Sequence, residues 1–279
     1  MKSKVIILGL IFCYVLVVVP FSSYLKNRPV MLKLGYVPAG KVLRAIVGDQ
    51  RYLTAEIYIV RVLFYFGELF GINRERVAVT PEYFNMYRTL ENAVLLDPYN
   101  TDAYYFSQAA FTWELGRVRE VNSMLKHGMK YRTWDYQLPF FVGFNSAFFL
   151  NDYQAAAEYM KRAAELSGNP LFTNLAARYF YEAGKTDFGI AFLETMAKSA
   201  HDRKLKRIYE VRIEALRAER FLAGAVDRFE KERGRMPESL RELVTSNLIE
   251  KIPLDPYGGR FYLDRSGKVR STSKFAFRE

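Results

Sequence analysis

Residues 151–170 read NDYQAAAEYMKRAAELSGNP, and this stretch decides the fold. Its first three residues are a turn and a helix-entry signal. Small side chains such as Ala156 and Ala163 let a neighbouring helix approach closely. The stretch therefore predicts a short helix that packs tightly against another helix, a unit that is typical of stacked helical pairs.

The same pattern recurs along the chain at a nearly constant spacing. Corresponding positions in four similar helices lie 35, 35 and 33 residues apart, at Ala93, Gly128, Ala163 and Met196. Turn signals precede the later sites, at Leu115-Gly116, at 151–153 and at 183–185. Two short helices cannot bury their apolar faces alone, so such a period predicts pairs that stack into a continuous core. We expect about four antiparallel helical pairs over residues 54–200.

These segments resemble the tetratricopeptide repeat, whose period is about 34 residues. The resemblance rests on the turn and helix at 151–159 and on the repeat end Leu95-Leu96-Asp97-Pro98-Tyr99-Asn100. It covers about half of the chain, and Gly128 and Met196 replace the alanine of the family pattern. The resemblance implies a solenoid with a concave surface that binds proteins or peptides. The alternative is an ordinary helical bundle.

The N-terminus carries an uninterrupted apolar run from Val5 to Val19 behind Lys2 and Lys4. Its length is at the short end of what crosses a bilayer, and it lacks a small-residue cleavage pattern. We expect an uncleaved signal anchor over 1–24, although basic residues just beyond the run weaken the charge asymmetry that sets orientation. The alternatives are a cleaved signal peptide or a buried core helix. A connector over 25–53, rich in glycine and proline, is expected to hold one short helix near Lys41 to Val47.

The stretch from Pro38 to Leu69 resembles the entry region of large envelope-associated repeat proteins of some Gram-negative bacteria. Together with the apolar run behind Lys2 and Lys4, this resemblance predicts a single-pass protein of the bacterial inner membrane with its body in the periplasm. The net charge of +11 is compatible with nucleic acid, an anionic membrane or an acidic protein partner. Because lysine and arginine alternate with glutamate along the chain, solvated helix faces also explain the charge.

The C-terminal part, 201–279, has a different pattern. We expect a long helix from Asp202 to Arg233, a short helix after Pro237, and a β-hairpin with strands at Arg260–Leu263 and Lys268–Ser271. The text RGRMPESLRELV, IPLDPYGGRFYLD and GKVRSTS resembles the C-terminal part of type II secretion major pseudopilins. The N-terminus lacks a prepilin-type cleavage motif, so the chain is not expected to be a pilin itself.

The resemblance to pseudopilins implies that a loop near the D-P-Y-G-G sequence could hold calcium. Asp255 and Asp264 are the candidate ligands, but two carboxylates are fewer than the six to eight oxygens that calcium prefers. The alternative, which the sequence favours, is that Asp255 caps the turn. No metal site and no cofactor is expected.

Catalytic motifs are absent from the sequence. There is no G-x-S-x-G, phosphate loop or H-E-x-x-H, and the chain has one cysteine and two histidines. No His, Cys or carboxylate pair has metal-ligand spacing. We therefore expect a binding protein and not an enzyme.

The sequence predicts an all-α, tetratricopeptide-like solenoid after an N-terminal transmembrane helix, with a small α+β C-terminal module. Its function is predicted as an extracytoplasmic scaffold for protein or peptide partners, in an envelope, secretion or pilus-like system. The alternative is a basic helical-repeat protein that binds nucleic acid or another polyanion. Alignment with the repeat family implies concave-face positions at Tyr105, Ala109, Phe141, Asn145, Phe148, Asn174, Arg178 and Tyr181.

Overall fold

A computed structural model describes residues 2–27, 34–38, 40–70 and 82–275. The chain is mostly helical with one small antiparallel sheet, as the sequence predicts. It divides into two compact units, Met1–Ala110 and Phe111–Glu279. Parts of the predicted connector and repeat region, 28–33, 39 and 71–81, lie outside the described residues.

The first unit contains five α-helices among its described residues: α1 Lys2–Asn27, α2 Gly40–Val47, α3 Arg51–Phe70, α4 Tyr83–Leu96 and α5 Thr101–Phe106. Its core forms where α3 and α4 meet, and it includes Ile59, Val62, Met86 and Leu90. The α2 helix confirms the short helix expected in the connector.

The segment that leads into α2 is fixed to α3 and α4 by polar contacts. Arg61 donates to the carbonyl oxygen of Leu34, and Asn92 Nδ2 donates to the carbonyl oxygen of Pro38 at 2.8 Å. The connector is therefore held against the helices over these residues.

The described side chains of α1 are largely apolar and exposed, Leu10, Phe12, Leu16 and Val17 among them. The α3 helix has a second exposed apolar stripe, formed by Leu53, Ile57, Val60 and Phe64. Over the described residues, no helix is long and apolar enough to cross a membrane.

The second unit stacks consecutive helices: α6 Val118–Met129, α7 Gln137–Phe148, α8 Tyr153–Ser167, α9 Pro170–Glu182, α10 Thr186–Ser199 and α11 Arg203–Arg233. Side-chain caps start several of these helices. Asp152 accepts from the amide of Ala155 at 3.0 Å, and Asn169 accepts from the amide of Leu171 at 2.9 Å. Gly168, with φ of 65°, ends α8 in the left-handed conformation that favours glycine.

Close helix approach is visible at the small residues. Ala156 and Ala163 are fully buried in α8, as expected. A methyl group added at Gly143 would lie 3.2 Å from the amide nitrogen of Met160 and 3.3 Å from the carbonyl oxygen of Ala156. A larger residue at this point would be in tight contact with the backbone of α8, so the two helices approach closely here.

The helix starts reproduce the period predicted from the sequence. Second helices of the successive pairs begin at Tyr83, Val118, Tyr153 and Thr186, which are 35, 35 and 33 residues apart. Ala93, Gly128 and Ala163 are buried, and the larger Met196 is half-buried. The regular spacing of the helices is thus confirmed along the sequence.

The C-terminal module has the predicted order of elements. Asp202 caps α11 through the amide of Lys204 at 2.6 Å, and Gly234 ends the helix. The short helix α12 Leu240–Thr245 follows, and then an antiparallel hairpin of β1 Phe261–Leu263 and β2 Val269–Ser271 in which Phe261 pairs with Ser271.

A single apolar cluster joins α10 and α11 to the hairpin, through Leu193, Leu216, Phe229, Leu243 and Val269. The C-terminal module therefore packs on the last helices of the stack, and the end of a helical array needs such a cover for its apolar face.

Candidate functional site

The predicted partner-binding residues are distributed over both units. Tyr105 lies half-buried on α5 and Ala109 is exposed in a π-helix, Ser107–Glu114, which continues from α5. The other six residues lie in the second unit, on α7 and α9. These six residues therefore lie on two helices that contact each other. The ring centroid of Phe140 on α7 is 5.1 Å from that of Phe172 on α9.

Asn145 does not line an open surface. It is fully buried, and its Nδ2 donates to Oδ1 of the buried Asn122 at 2.8 Å, which joins α7 to α6. The side chain at this predicted concave-face position therefore points into the packing between α6 and α7. A buried amide pair of this kind satisfies its own polar groups and stabilises the helix packing.

The face of α7 that reaches the surface is offset from the predicted one. Phe140, Phe144 and Phe148 recur at every fourth residue, so they lie on one face of the helix. Phe141 is half-buried and packs against Phe140 with ring centroids 5.3 Å apart. The four-residue spacing was present in the sequence and indicates this face more directly than alignment to the repeat family did.

Four aromatic side chains form what we call the aromatic surface: Trp113, Phe144, Phe148 and Phe149. The ring of Trp113 lies 5.6 Å from that of Phe148 and 5.0 Å from that of Phe149, and Phe144 stacks on Phe148 at 5.4 Å. Trp113 is 55% exposed and Phe148 is 60% exposed. Large rings that pack on one another while half their area faces solvent are typical of a binding surface.

Trp113 comes from an unusual backbone segment that sequence analysis missed. It lies in the π-helix Ser107–Glu114, a conformation that is rare and is often found at functional sites. The indole N–H of Trp113 donates to no described residue, so this polar group accompanies the apolar rings at the surface. The aromatic rings therefore provide contact area for a partner, and the indole N–H of Trp113 can donate one directional hydrogen bond to it.

Asn174 and Arg178 lie on α9, one helical turn apart. Oδ1 of Asn174 is buried and accepts no hydrogen bond from the described residues. Arg178 is exposed and makes none of the ion pairs found in the described part of the chain. An unsatisfied amide oxygen and an unpaired guanidinium on one helix face are groups that a bound peptide could satisfy.

Tyr181 is already engaged by the C-terminal hairpin. Its hydroxyl donates to the carbonyl oxygen of Val269 at 3.1 Å, and its ring packs against Phe275 and below the guanidinium of Arg270. Burial raises the pKa of Tyr181 to about 12. The hairpin therefore covers Tyr181, which the sequence placed on the concave face.

The two candidate calcium ligands are both held by the protein. Asp255 is buried and accepts from the hydroxyls of Ser271 and Ser273 and from the amide of Tyr257 at 2.9 Å. Its carboxylate locks the turn to the strand that follows, which agrees with the capping role.

Asp264 organises the hairpin turn through Ser266 and the amide of Lys268. These hydrogen bonds, first of all the one from the Ser266 hydroxyl, lower the pKa of Asp264 to about 2. Within the described residues, no three His, Cys, Asp or Glu side chains are grouped so as to hold a metal ion.

The α11 helix begins with the basic sequence Arg203-Lys204-Leu205-Lys206-Arg207, whose charge is partly neutralised by nearby glutamates. Arg207 lies 4.0 Å from Glu210 and 3.9 Å from Glu214, and all three side chains are well exposed. Ion pairs of this kind contribute little stability, so the run behaves as a solvated helix face with mixed charge.

Comparison of the chain with protein-family models, with curated proteins and with solved structures finds no match.

Proposed function

We propose that the chain is a membrane-anchored, extracytoplasmic scaffold that binds an extended peptide segment of a protein partner. The aromatic surface carries this proposal, because Trp113 and Phe148 are both more than half exposed within one packed cluster. Binding surfaces obtain most of their affinity from a few aromatic anchors near the centre of a contact. The function is one of binding, with no catalytic step.

A tetratricopeptide-like arrangement is part of the proposal. It is supported by the regular spacing of the helix starts, by the small residues at close helix contacts, and by the ring contact between α7 and α9. In such an array the first helices of successive pairs lie next to each other on one face. A peptide on that face would contact the aromatic rings of α7 and reach Asn174 and Arg178 on α9.

Membrane attachment through α1 is the second part of the proposal. Support comes from the uninterrupted apolar run from Val5 to Val19 behind Lys2 and Lys4, and from the exposed apolar side chains of α1. A reporter that is active only outside the cytoplasm, fused after Glu279, should be active. Activity of a cytoplasm-only reporter at the same position would refute this topology and would favour the polyanion-binding alternative.

The binding site can be tested with the protein's own fluorescence. The chain has two tryptophans, so Trp134→Phe leaves Trp113 as the single reporter at the aromatic surface. A library of displayed unstructured peptides is screened against the detergent-solubilised full chain, and selected peptides are titrated. We expect the emission of Trp113 to shift to shorter wavelength as the peptide covers the ring.

Matched variants then locate the contact. Phe148→Ala should weaken peptide binding about 30-fold, which corresponds to the loss of about 2 kcal/mol at an aromatic anchor. Phe188→Ala is the control, because Phe188 is exposed to a similar extent, 62%, but lies on α10. Equal effects of the two variants, or no effect of Phe148→Ala, would place the peptide elsewhere.

The polar groups of α9 form a second arm of the test. The double variant Asn174→Ala with Arg178→Ala should fold normally and lose affinity. The lost hydrogen bond of Arg178 to a carboxylate costs about 1.5 to 3 kcal/mol, and the neutral one of Asn174 costs about 0.5 to 1.5 kcal/mol. If the folded double variant binds selected peptides with unchanged affinity, α9 takes no part in binding. Salt-sensitive RNA binding with no peptide binding would support the polyanion function instead.

A further inference from the structure

A second site lies at the junction of the stacked helices and the C-terminal module. It is a cleft of about 470 Å³ bounded by the α9–α10 turn, by α11 and by the β1–β2 hairpin. Its apolar lining includes Ala223, Val226 and Met236. A cleft of this size is in the range that holds a small molecule or a single long side chain.

Glu219 of α11 is the central polar group of this cleft. It is only 7% exposed, and its Oε2 accepts one long hydrogen bond, 3.4 Å, from the hydroxyl of Thr186. Among the described residues its other oxygen has no hydrogen-bond partner. A buried carboxylate normally accepts several hydrogen bonds or pairs with a cation, because removing the charge from water is costly.

The charged groups that face Glu219 from α9, α10, α11 and the hairpin are Glu182, Asp187, Arg220, Asp227, Lys268 and Arg270. Two of the cations already have partners. Arg220 binds Asp187 at 2.9 Å, and Arg270 binds Glu182 at 3.0 Å.

Of the charges left in the cleft, Glu219 and Asp227 are acidic and Lys268 is basic, and none of the three forms an ion pair in the described part of the chain. The cleft therefore retains an excess of negative charge when Glu219 is ionised.

We propose that this cleft binds an alkylammonium group on a short aliphatic stem, such as a lysine side chain, with Glu219 as its counter-ion. The ammonium would supply the missing hydrogen bonds to the carboxylate. The aliphatic stem would lie against Ala223, Val226 and Met236, and the ring of Tyr181 also borders the space. This site is independent of the aromatic surface.

The state of Glu219 without a ligand agrees with this assignment. Burial raises the pKa of Glu219 to about 7, an effect that the hydrogen bond from Thr186 and the charges of Arg270 and Arg220 only partly offset. A bound cation stabilises the ionised form, so it should bind more tightly when the carboxyl has already lost its proton. Between pH 8 and pH 6 the ionised fraction falls about tenfold, and the affinity should fall with it.

The test uses the full chain and three probes in calorimetric titration: Nα-acetyl-lysine methylamide, Nα-acetyl-norleucine methylamide and cadaverine. Norleucine keeps the aliphatic stem and lacks the ammonium. We expect the lysine probe to bind at least tenfold more tightly than the norleucine probe at pH 8, and about tenfold more weakly at pH 6. Equal affinity for cadaverine and lysine supports a free amine as ligand, and tighter binding of lysine supports a peptide.

Variants make the assignment specific. Glu219→Gln should reduce affinity for the lysine probe at least tenfold, whereas the control Glu230→Gln, at an exposed site of α11, should not. Lys268→Ala removes a competing cation and should leave binding unchanged or tighter. Trp113→Ala should leave it unchanged, so failure here is distinct from failure of the peptide-binding proposal.

Three results would overturn the proposal: norleucine binding as tightly as lysine, the same affinity at both pH values, or weaker binding in Lys268→Ala. The comparison of lysine with norleucine uses the unmodified chain, so it decides the matter even if Glu219→Gln does not fold.

Discussion

Replacing Gly259 by alanine should destabilise the C-terminal module, because the turn at Asp255 has no space for a side chain at this position. A Cβ atom on Gly259 would lie 2.6 Å from Oδ2 of Asp255 and 2.7 Å from the amide nitrogen of Ser273. Ordinary contact begins at about 3.4 Å. Asp255 must therefore move by about 0.8 Å and Ser273 by about 0.7 Å, or the backbone of residue 259 must shift away from both.

The size of the effect follows from what the carboxylate of Asp255 holds. Oδ2 accepts hydrogen bonds from the hydroxyls of Ser271 and Ser273, the latter at 2.6 Å. A displacement of about 0.8 Å is enough to lengthen these bonds beyond useful range, and the site is buried, so water cannot replace both donors. Hydrogen bonds to charged groups contribute about 1.5 to 3 kcal/mol each. We expect a loss of about 2 to 4 kcal/mol in the free energy of unfolding.

Gly224→Ala provides a control with the same chemical change. Gly224 lies inside α11, where the nearest atom to an added Cβ is Nη1 of Arg228 at 3.9 Å. Alanine is the better helix former, so this variant should gain about 0.5 to 1 kcal/mol. Urea unfolding measured by circular dichroism gives the two free energies. Hydrogen exchange of peptides that cover residues 255–275 shows whether the loss in Gly259→Ala is confined to the hairpin.

The two glycine variants should therefore change stability in opposite directions. A Gly259→Ala protein as stable as the unmodified chain, with unchanged protection of the hairpin amides, would show that the buried Asp255 network does not hold the module together. Faster hydrogen exchange of the hairpin amides, with little change in the stability of the helices, would show that the Asp255 network stabilises only the hairpin.

Three further predictions concern charged residues. Because burial raises the pKa of Glu219 to about 7 from 4.5, its stabilising effect is complete below pH 4.5 and is lost as pH rises through 7. Between pH 5 and pH 8, the free energy of unfolding of the unmodified chain should fall by about 2 to 3 kcal/mol relative to that of Glu219→Gln. Urea unfolding at both pH values measures this difference, and the control Glu230→Gln should behave like the unmodified chain. Arg220→Ala should change the free energy of unfolding by less than about 1 kcal/mol, because its ion pair with Asp187 is exposed, and a larger change would contradict that account. Arg270→Ala should lower the free energy of unfolding by about 1 to 3 kcal/mol, because it removes half-buried hydrogen bonds to two carboxylates. It should also speed hydrogen exchange in the hairpin, and unchanged exchange would refute this.

Local chemistry explains why so much of the fold was predictable. A period of about 35 residues could be recognised from four corresponding small or apolar residues, and the second helix of each successive pair begins at the same intervals. The hairpin was indicated by Asp264 and Gly267, and its turn forms around the carboxylate of Asp264. Caps such as Asp202 and end glycines such as Gly234 fixed the limits of α11 to within one residue. These features depend on a few neighbouring residues, which a sequence displays directly.

The candidate site was predicted less well, because it depends on contacts that are distant in sequence. Alignment to a repeat family placed Asn145 on the open face, but a pairing with Asn122, 23 residues away, turns that side chain inward. One residue corresponds to about 100° of rotation around a helix, so a small error in register exchanges buried and exposed positions. Trp113 was not predicted as a site residue, because no pattern in the neighbouring sequence indicates the π-helix in which it lies.

If the chain binds a peptide as proposed, the C-terminal module limits where that peptide can lie. Tyr181 and Glu182 at the end of α9 would be the last positions of a concave face, but the hairpin occupies both, through the carbonyl oxygen of Val269 and the guanidinium of Arg270. The same contacts that cap the stack therefore close its C-terminal end to a peptide. What remains open in the second unit is the aromatic surface and the middle of α9, where Asn174 and Arg178 have no partner among the described residues. A peptide bound there would have to end, or leave the surface, before it reached the hairpin.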